Sequence, residues 1–200
     1  VGRAAGHLFR NGDRPHTILI GKDTRRSCYM LENALTAGLC SMGIRVLLTG
    51  PLPTPGVSYI MRSLRCDGAV MISASHNGYA DNGIKIFGAD GFKIPDQTED
   101  RIAQWITDGE LDNIRPTGDR VGTARRIDDA VGRYIEFAKA SFPKGMRLDG
   151  LRIVVDCSNG AAYKAGPNAL SELGADVIAI GNQPNGMNIN DNIGSVHPEE

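Results

Sequence analysis

A short segment, Ser73 to Gly78, places two serines, a histidine and an asparagine within six residues. Two hydroxyls, an imidazole and an amide can bind a charged group or take part in its transfer. The segment directly follows the apolar run Ala69 to Ile72, which is typical of a buried strand. Since ligands in open α/β sheets bind at the carboxyl ends of the strands, we expect this loop to belong to a functional site.

The side chains of this loop favour phosphoryl transfer over acyl transfer. Ser75 next to His76 first indicates an acyl hydrolase, but the motif G-x-S-x-G is absent around Ser75 and neighbouring side chains diverge. A phosphate on Ser75 would add about −1.5 to −2 charges and three acceptor oxygens. Nearby amides, a divalent cation, Lys22 and Arg25 are candidates to balance that charge. Both cations follow another predicted strand, so their loop should lie at the same edge of the sheet.

A third cation, Lys85, is placed by a turn. Asp81-Asn82-Gly83 predicts a reversal of the chain, and the following strand begins beside Lys85. A flexible lysine at that position can fold back toward Ser75.

The elements that position these loops form a repeated strand, helix, strand order. Short apolar runs predict the strands, and a helical spacing of apolar residues that ends at a glycine predicts each helix. Two such units are predicted. The first has the strand His16–Ile20, a helix capped by Ser27, and the strand Ile44–Leu48. The second has the strand Leu151–Val155, the helix Tyr163–Leu173 and the strand Val177–Ile180.

Further elements are predicted between these two units. First come a helix from Thr54, the strand Ala69–Ile72 and a hairpin of Ile84–Phe87 with Phe92–Ile94. The next helix has Asp96 and Glu99 as a capping box and Ile102 and Ile106 on its apolar face. A polar connector over Glu110–Arg126 then leads to a helix capped near Asp128. The pattern predicts an α/β protein.

Composition excludes several classes of function. The 200 residues carry 22 Lys and Arg against 23 Asp and Glu, so no summed positive field is present to bind nucleic acid or an anionic membrane. No apolar run approaches the roughly 20 residues that span a bilayer. The four cysteines form no C-x-x-C pair, which indicates neither a zinc site nor a disulfide scaffold and favours a reducing cytoplasm.

Six strings of the sequence resemble the phosphohexomutase family, most closely its phosphoglucosamine mutase branch. They occur in the family's order and spacing and extend over nearly the whole chain. The strings are Gly21–Arg25, Gly50–Pro55, Ile72–Asn77, Asp81–Lys85, Asp90–Gly91 and Val155–Ala161.

The resemblance implies a four-domain enzyme around a deep cleft. This chain would hold domain I over residues 1–146, shortened at its beginning, and the start of a similar domain II over 147–200. Each would be an α/β domain, the first with a mixed sheet and helices on both faces. The implied reaction converts glucosamine 6-phosphate into glucosamine 1-phosphate through a bisphosphorylated sugar.

The resemblance also implies roles for the catalytic residues. Ser75 would be the phosphoserine that gives and takes back the phosphoryl group. Lys85 would be the general base, and His76 would shape the loop and contact the phosphate.

Further residues would bind phosphate or metal. Asn77 would contact the phosphate, while Lys22 and Arg25 would steady its charge. Magnesium would bind to Ser75 through its phosphate and to Asp ligands that the resemblance places beyond Glu200, so this chain alone would be inactive. Gly78 departs from the family, which often has proline there, and loosens the loop.

Two other readings remain open. The first is a phosphomannomutase or phosphoglucomutase of the same family, because the loops that select the sugar lie outside this sequence. The second is a non-catalytic fragment that binds a sugar phosphate. A hexosamine phosphate is the expected partner, and the sequence leaves the oligomeric state open.

Overall fold

The computed structural model describes residues 1–12, 14–114 and 116–197, so the last three positions of the predicted second domain lie outside it. These residues form six α-helices, seven strands and two short 3-10 helices at Glu110–Asn113 and Gly118–Arg120. The helices are α1 Gly2–Phe9, α2 Ser27–Cys40, α3 Thr54–Ser63, α4 Asp96–Asp108, α5 Ala130–Ala140 and α6 Ala165–Glu172. The strands are β1 Thr17–Lys22, β2 Arg45–Pro51, β3 Gly68–Ile72, β4 Ile84–Gly88, β5 Ala124–Arg126, β6 Arg152–Asp156 and β7 Asp176–Ile180.

The strands form two sheets. The larger has the order β4-β3-β1-β2-β5, in which β4 is antiparallel to β3 and the other neighbours are parallel. The smaller pairs β6 with β7 in parallel. The mixed sheet and both predicted β-α-β units are thereby confirmed.

Helices cover both faces of the larger sheet because successive side chains of a strand point to opposite sides. Ile18 and Ile20 of β1 belong to the core that includes Leu35 of α2. Leu19, between them, belongs to the opposite core with Ile60 of α3. A strand buried on both sides reads as a continuous apolar run, as β1 does.

Helix α1 was not predicted, and small residues explain why. At Gly38 of α2 an added Cβ would lie 2.9 Å from the Cα of Gly2 and 2.9 Å from the backbone nitrogen of Arg3. The two helices therefore approach at backbone distance, and the sequence of α1 shows few large apolar residues.

Two predicted helix caps and one predicted apolar position are wrong. Ser27 and Asp96 are the first residues of their helices rather than side-chain caps. The last helix of the larger unit, predicted to be capped near Asp128, has Asp129 at its N-cap. The hydroxyl of Ser27 instead accepts a hydrogen bond from Asn82. Ile106 is 49% exposed although the pattern predicted it to face the core.

Two elements differ from their predicted form. The polar connector contains the edge strand β5, which pairs with β2 through backbone hydrogen bonds that no apolar pattern reveals. The second arm of the predicted hairpin is reduced to a single bridge between Phe87 and Lys93.

The smaller sheet has one bare face. Val154, Ile178 and Ile180 are exposed on it, while the residues between them are half-buried. Throughout the described part of the chain, every helix is too short or too polar to cross a membrane.

Candidate functional site

The Ser75 loop connects the antiparallel neighbours β3 and β4. Its base is closed by the N–H of Ser73, which donates to the carbonyl of Gly83 at 2.9 Å. The side chain of Ser75 is exposed, and its backbone has a φ of 57°. A serine in this left-handed region is held there by its surroundings, since such conformations cost of order 1–3 kcal/mol. One contact is the hydrogen bond from the Ser75 N–H to the Ser73 hydroxyl, at 3.1 Å.

Arg25 lies fully buried beneath this loop. Its guanidinium donates to the carbonyls of Asn77 at 2.6 Å, Ser75 at 3.3 Å and Gly78 at 3.4 Å. It also donates to the carboxylate of Asp23. The structure therefore brings Arg25 to the Ser75 loop as predicted, with its hydrogen bonds directed to the loop backbone.

The carboxylate that holds Arg25 is itself fixed. The Sγ atom of Cys28 lies 3.1 Å from one Asp23 oxygen, and the backbone N–H of Arg25 donates to the same oxygen. Burial, more than any other cause, raises the pKa of the Cys28 thiol to about 12. The thiol is therefore protonated at neutral pH and donates to Asp23.

Lys22 is directed elsewhere. Its ammonium is buried, 2.7 Å from a carboxylate oxygen of Glu32 and 3.8 Å from the centre of the Tyr29 ring. Arg126 approaches the same Glu32 oxygen at 3.8 Å. Breaking such a buried pair is costly, so Lys22 holds β1 to α2, and its predicted part in phosphate binding stays a prediction.

The remaining predicted residues lie on or beside the loop. His76 and Asn77 are exposed, and the Asn77 amide donates to Asp81 at 3.0 Å. Lys85 is half-buried and opposite Met71 in the β3-β4 register, so both side chains share one face of the sheet. Met71 and Ser75 line one cavity, and Lys85 is the strand neighbour of Met71 rather than part of that lining.

This cavity has a volume of about 240 Å³ and lies between the two sheets. Ser73 and Ser75 line it from one side, and Cys157, Gly160 and Asn190 from the other. Small-molecule sites usually occupy roughly 300–1,000 Å³, so this cavity is smaller than a typical one.

The loops of the smaller sheet contact this region, and the sequence did not predict these contacts. The amide of Asn190 donates to the carbonyls of Ser75 at 3.0 Å and Asn77 at 2.9 Å. The hydroxyl of Thr24 donates to the carbonyl of Asn159 at 2.5 Å. The asparagine-rich composition of residues 182–192 was visible, but it did not indicate which asparagine reaches the serine loop.

The residues present do not fit a magnesium ion by themselves. In the parts of the chain that the structure describes, no group of three or more His, Cys, Asp and Glu side chains could hold a metal ion. Ser75 would offer only the oxygens of its phosphate. No chemical step is therefore assigned to a metal.

The sequence and the fold were compared with known proteins. A family model described as phosphoglucomutase/phosphomannomutase, alpha/beta/alpha domain I, matches residues 1–113. Proteins named phosphoglucosamine mutase from Geotalea daltonii and Magnetococcus marinus are each 60% identical over the whole chain. The chain spans 44% and 41% of their lengths, less than half of each.

Solved structures give the same result for the fold. A phosphoglucomutase/phosphomannomutase family protein from Burkholderia thailandensis superposes with a TM-score of 0.73 at 27% identity. A putative phosphomannomutase from Thermus thermophilus has a TM-score of 0.75, also at 27% identity. Each match covers 93% of this chain and 41% of the solved one.

Proposed function

The chain belongs to the phosphoglucomutase/phosphomannomutase family, and from this premise we propose that the whole protein interconverts glucosamine 6-phosphate and glucosamine 1-phosphate. The observation that carries the proposal is the 60% identity, over the full length of this chain, to proteins named phosphoglucosamine mutase. The exposed Ser75 presents its hydroxyl from a loop whose backbone is held from beneath by Arg25.

In the proposed reaction Ser75 carries the phosphoryl group between the two ends of the sugar. The bond from Ser75 Oγ to phosphorus breaks as the sugar O1 forms a bond to the same phosphorus atom, which gives a bisphosphorylated sugar. After the sugar turns over, Ser75 Oγ attacks the 6-phosphoryl group and glucosamine 1-phosphate leaves. Both transfers require the attacking and leaving oxygens to be in line, so the position of Ser75 governs the rate.

Lys85 is the proposed general base. In each transfer it would accept the proton of the attacking hydroxyl and pass it to the leaving oxygen, first from O1 to Ser75 Oγ and then from Ser75 Oγ to O6. His76 and Asn77, at the exposed tip of the loop, are the proposed contacts of the phosphate. Arg25 supports these groups through the loop backbone.

The proposal includes a domain division and a cofactor. Residues 1–146 would form domain I with the larger sheet, and 147–200 the start of domain II with the smaller sheet. Magnesium would bind the phosphate on Ser75 together with ligands outside the described residues. Four free cysteines agree with a cytoplasmic location.

The test is a mutase assay of the whole protein with magnesium, offering the 6-phosphates of glucosamine, glucose and mannose. We expect a preference for glucosamine 6-phosphate that Ser75→Ala abolishes. Ser141→Ala is the matched control and should keep full activity. The Ser141 hydroxyl lies on an exposed helix end and, among the described residues, hydrogen-bonds only to the Ala138 carbonyl.

The other outcomes separate the remaining candidates. Preference for mannose or glucose would replace the proposed substrate with another of the family. Activity that survives in Ser75→Ala would refute the phosphoserine mechanism. Binding of the sugar phosphate without turnover would establish a non-catalytic function.

A further inference from the structure

Two side chains from distant parts of the chain hold the same two carbonyl groups of the serine loop. Nη2 of Arg25 donates to the carbonyls of Ser75 and Asn77 at 3.3 and 2.6 Å. Nδ2 of Asn190 donates to the same two carbonyls at 3.0 and 2.9 Å. A carbonyl oxygen has two lone pairs, so each oxygen is saturated by these two donors.

These four hydrogen bonds fix the backbone on both sides of His76. Ser75 lies at one end of this span with its strained φ of 57°, and the backbone there determines where its Cβ atom lies. Arg25 belongs to the loop after β1, whereas Asn190 belongs to the segment after β7. The geometry of the serine is therefore set jointly by both units.

We infer that Asn190 is a positioning residue for the Ser75 loop, through which the smaller unit sets the position of the serine side chain. The inference rests on the proposed function for its effect on catalysis. Its structural part, the hold on the two carbonyls, is independent of which sugar reacts.

Asn190 is itself held in place. Its backbone N–H donates to the carbonyl of Ser158 at 3.0 Å, and its φ of 55° is one that asparagine tolerates better than most residues. The preceding side chain, Ile189, is 4% exposed and anchors the segment. The amide therefore reaches the serine loop from a fixed base.

The two units also contact each other through hydrogen bonds that do not involve the serine loop. The Thr24 hydroxyl binds the Asn159 carbonyl, and the N–H of Arg26 donates to the carbonyl of Gly186 at 2.8 Å. Removing the Asn190 amide should leave these contacts in place. Its loss should thus release the serine loop without separating the units.

The chain offers a matched control. Asn192 also has a positive φ, of 50°, but its amide donates to Asp191 and makes no hydrogen bond to the serine loop. Asn190→Gly and Asn192→Gly both keep the backbone conformation accessible and remove one amide. Only the first removes the donor to Ser75 and Asn77.

The experiment compares both variants with the parent in the whole protein, by steady-state mutase kinetics and by hydrogen exchange followed by mass spectrometry. For Asn190→Gly we expect kcat to fall about tenfold, with KM within about twofold, because a small misplacement of a reacting group costs up to about a hundredfold in rate. Amides of residues 74–78 should exchange faster, while those of β6 and β7 should be unchanged. Asn192→Gly should match the parent in both measurements.

Equal kcat and equal loop exchange in the two variants would overturn the inference. Faster exchange throughout β6 and β7 would overturn it as well, because Asn190 would then serve general docking. Loss of kcat without faster loop exchange would also contradict it. If the parent shows no mutase activity, the proposed function fails, and loop exchange alone still decides whether Asn190 holds the loop.

Discussion

The two parallel β-α-β units have the same element order and very different burial. In β1, five of six residues are buried, and helices pack on both faces of the sheet. In β6 and β7, exposed positions alternate with half-buried ones. One face of the smaller sheet packs against α6, and the other exposes Val154, Ile178 and Ile180.

This difference shows that a local apolar pattern determines a strand but not its burial. Ile18–Ile20 and Ile153–Val155 are equally apolar in sequence. Burial depends on which elements pack against each face, and that is decided by distant parts of the chain. Within these 200 residues, stability should therefore be concentrated in the larger unit.

The strongest test replaces one isoleucine in each unit. Ile20→Ala should lower the free energy of unfolding by about 2–5 kcal/mol, because Ile20 is fully buried and its loss leaves a cavity. Ile178→Ala, at a residue 46% exposed, should change it by less than about 0.5 kcal/mol. Urea unfolding of the 200-residue chain measures both values. Equal losses would show that the two sheets are equally buried in solution.

A second test uses one helical glycine from each unit, and the expected effects have opposite signs. Gly38→Ala should destabilise by about 1–3 kcal/mol, since its Cβ would meet the backbone of α1 at 2.9 Å. Gly166→Ala should stabilise by roughly 0.5 kcal/mol, because its Cβ would meet only a Val155 methyl at 3.9 Å and alanine favours helices. Thermal unfolding of both variants checks this. A gain for Gly38→Ala would contradict the close approach of α1 and α2.

A third test compares one aspartate from each unit as pH falls. Burial acts to raise the pKa of Asp67, but hydrogen bonds from Arg14 and from the Thr17 N–H outweigh it and lower that pKa. The stability contributed by the Asp67 carboxylate is therefore present above its unfolded pKa of about 3.9 and is lost as pH falls through the folded value. Asp67→Asn should cost about 1–2 kcal/mol at pH 7, and less below about pH 4.

The matched variant for this test is Asp176→Asn. Asp176 pairs with Arg152 at 2.6 Å, but both side chains are more than half exposed. Its replacement should cost less than about 1 kcal/mol at any pH. If the two variants lose the same stability at every pH, the expected difference in strength between the two ion pairs is wrong.

The smallest expected effect concerns the serine loop, which is held by residues of both units. An added Cβ at Gly78 would meet no atom within 4 Å, and its φ is not in the left-handed region. Gly78→Ala should raise the free energy of unfolding by about 0.4–1 kcal/mol by restricting the unfolded chain. It should also slow hydrogen exchange at residues 74–78. Destabilisation would indicate that the loop needs the freedom of glycine at this position.

Much of the fold was predictable because its signals are local. The strands β1, β2, β3, β6 and β7 are apolar runs, and the expectation that a glycine ends a helix holds for α4, where Gly109 has a φ of 69°. Helix α1 and strand β5 were missed, since their positions depend on packing against Gly38 and pairing with β2. Those partners are distant in sequence.

In the candidate site too, local features were predictable from the sequence and contacts between distant residues were not. Ser75, His76 and Asn77 are contiguous, so their motif was recognisable. The burial of Lys22 against Glu32 was not, because charge and spacing do not reveal which cation finds an acid inside the fold. Asn190 could not be found either, since its contact joins residues 115 positions apart.

That separation has a consequence during synthesis. Arg25 precedes Ser75 by 50 positions, so the ribosome synthesises Arg25, one of the two residues that hold the loop, before the serine itself. Asn190 follows Ser75 by 115 positions, which takes roughly 6 to 23 seconds at typical rates of translation. Throughout that interval the nascent serine loop is held from one side only, and its geometry is completed after the smaller unit has emerged and docked.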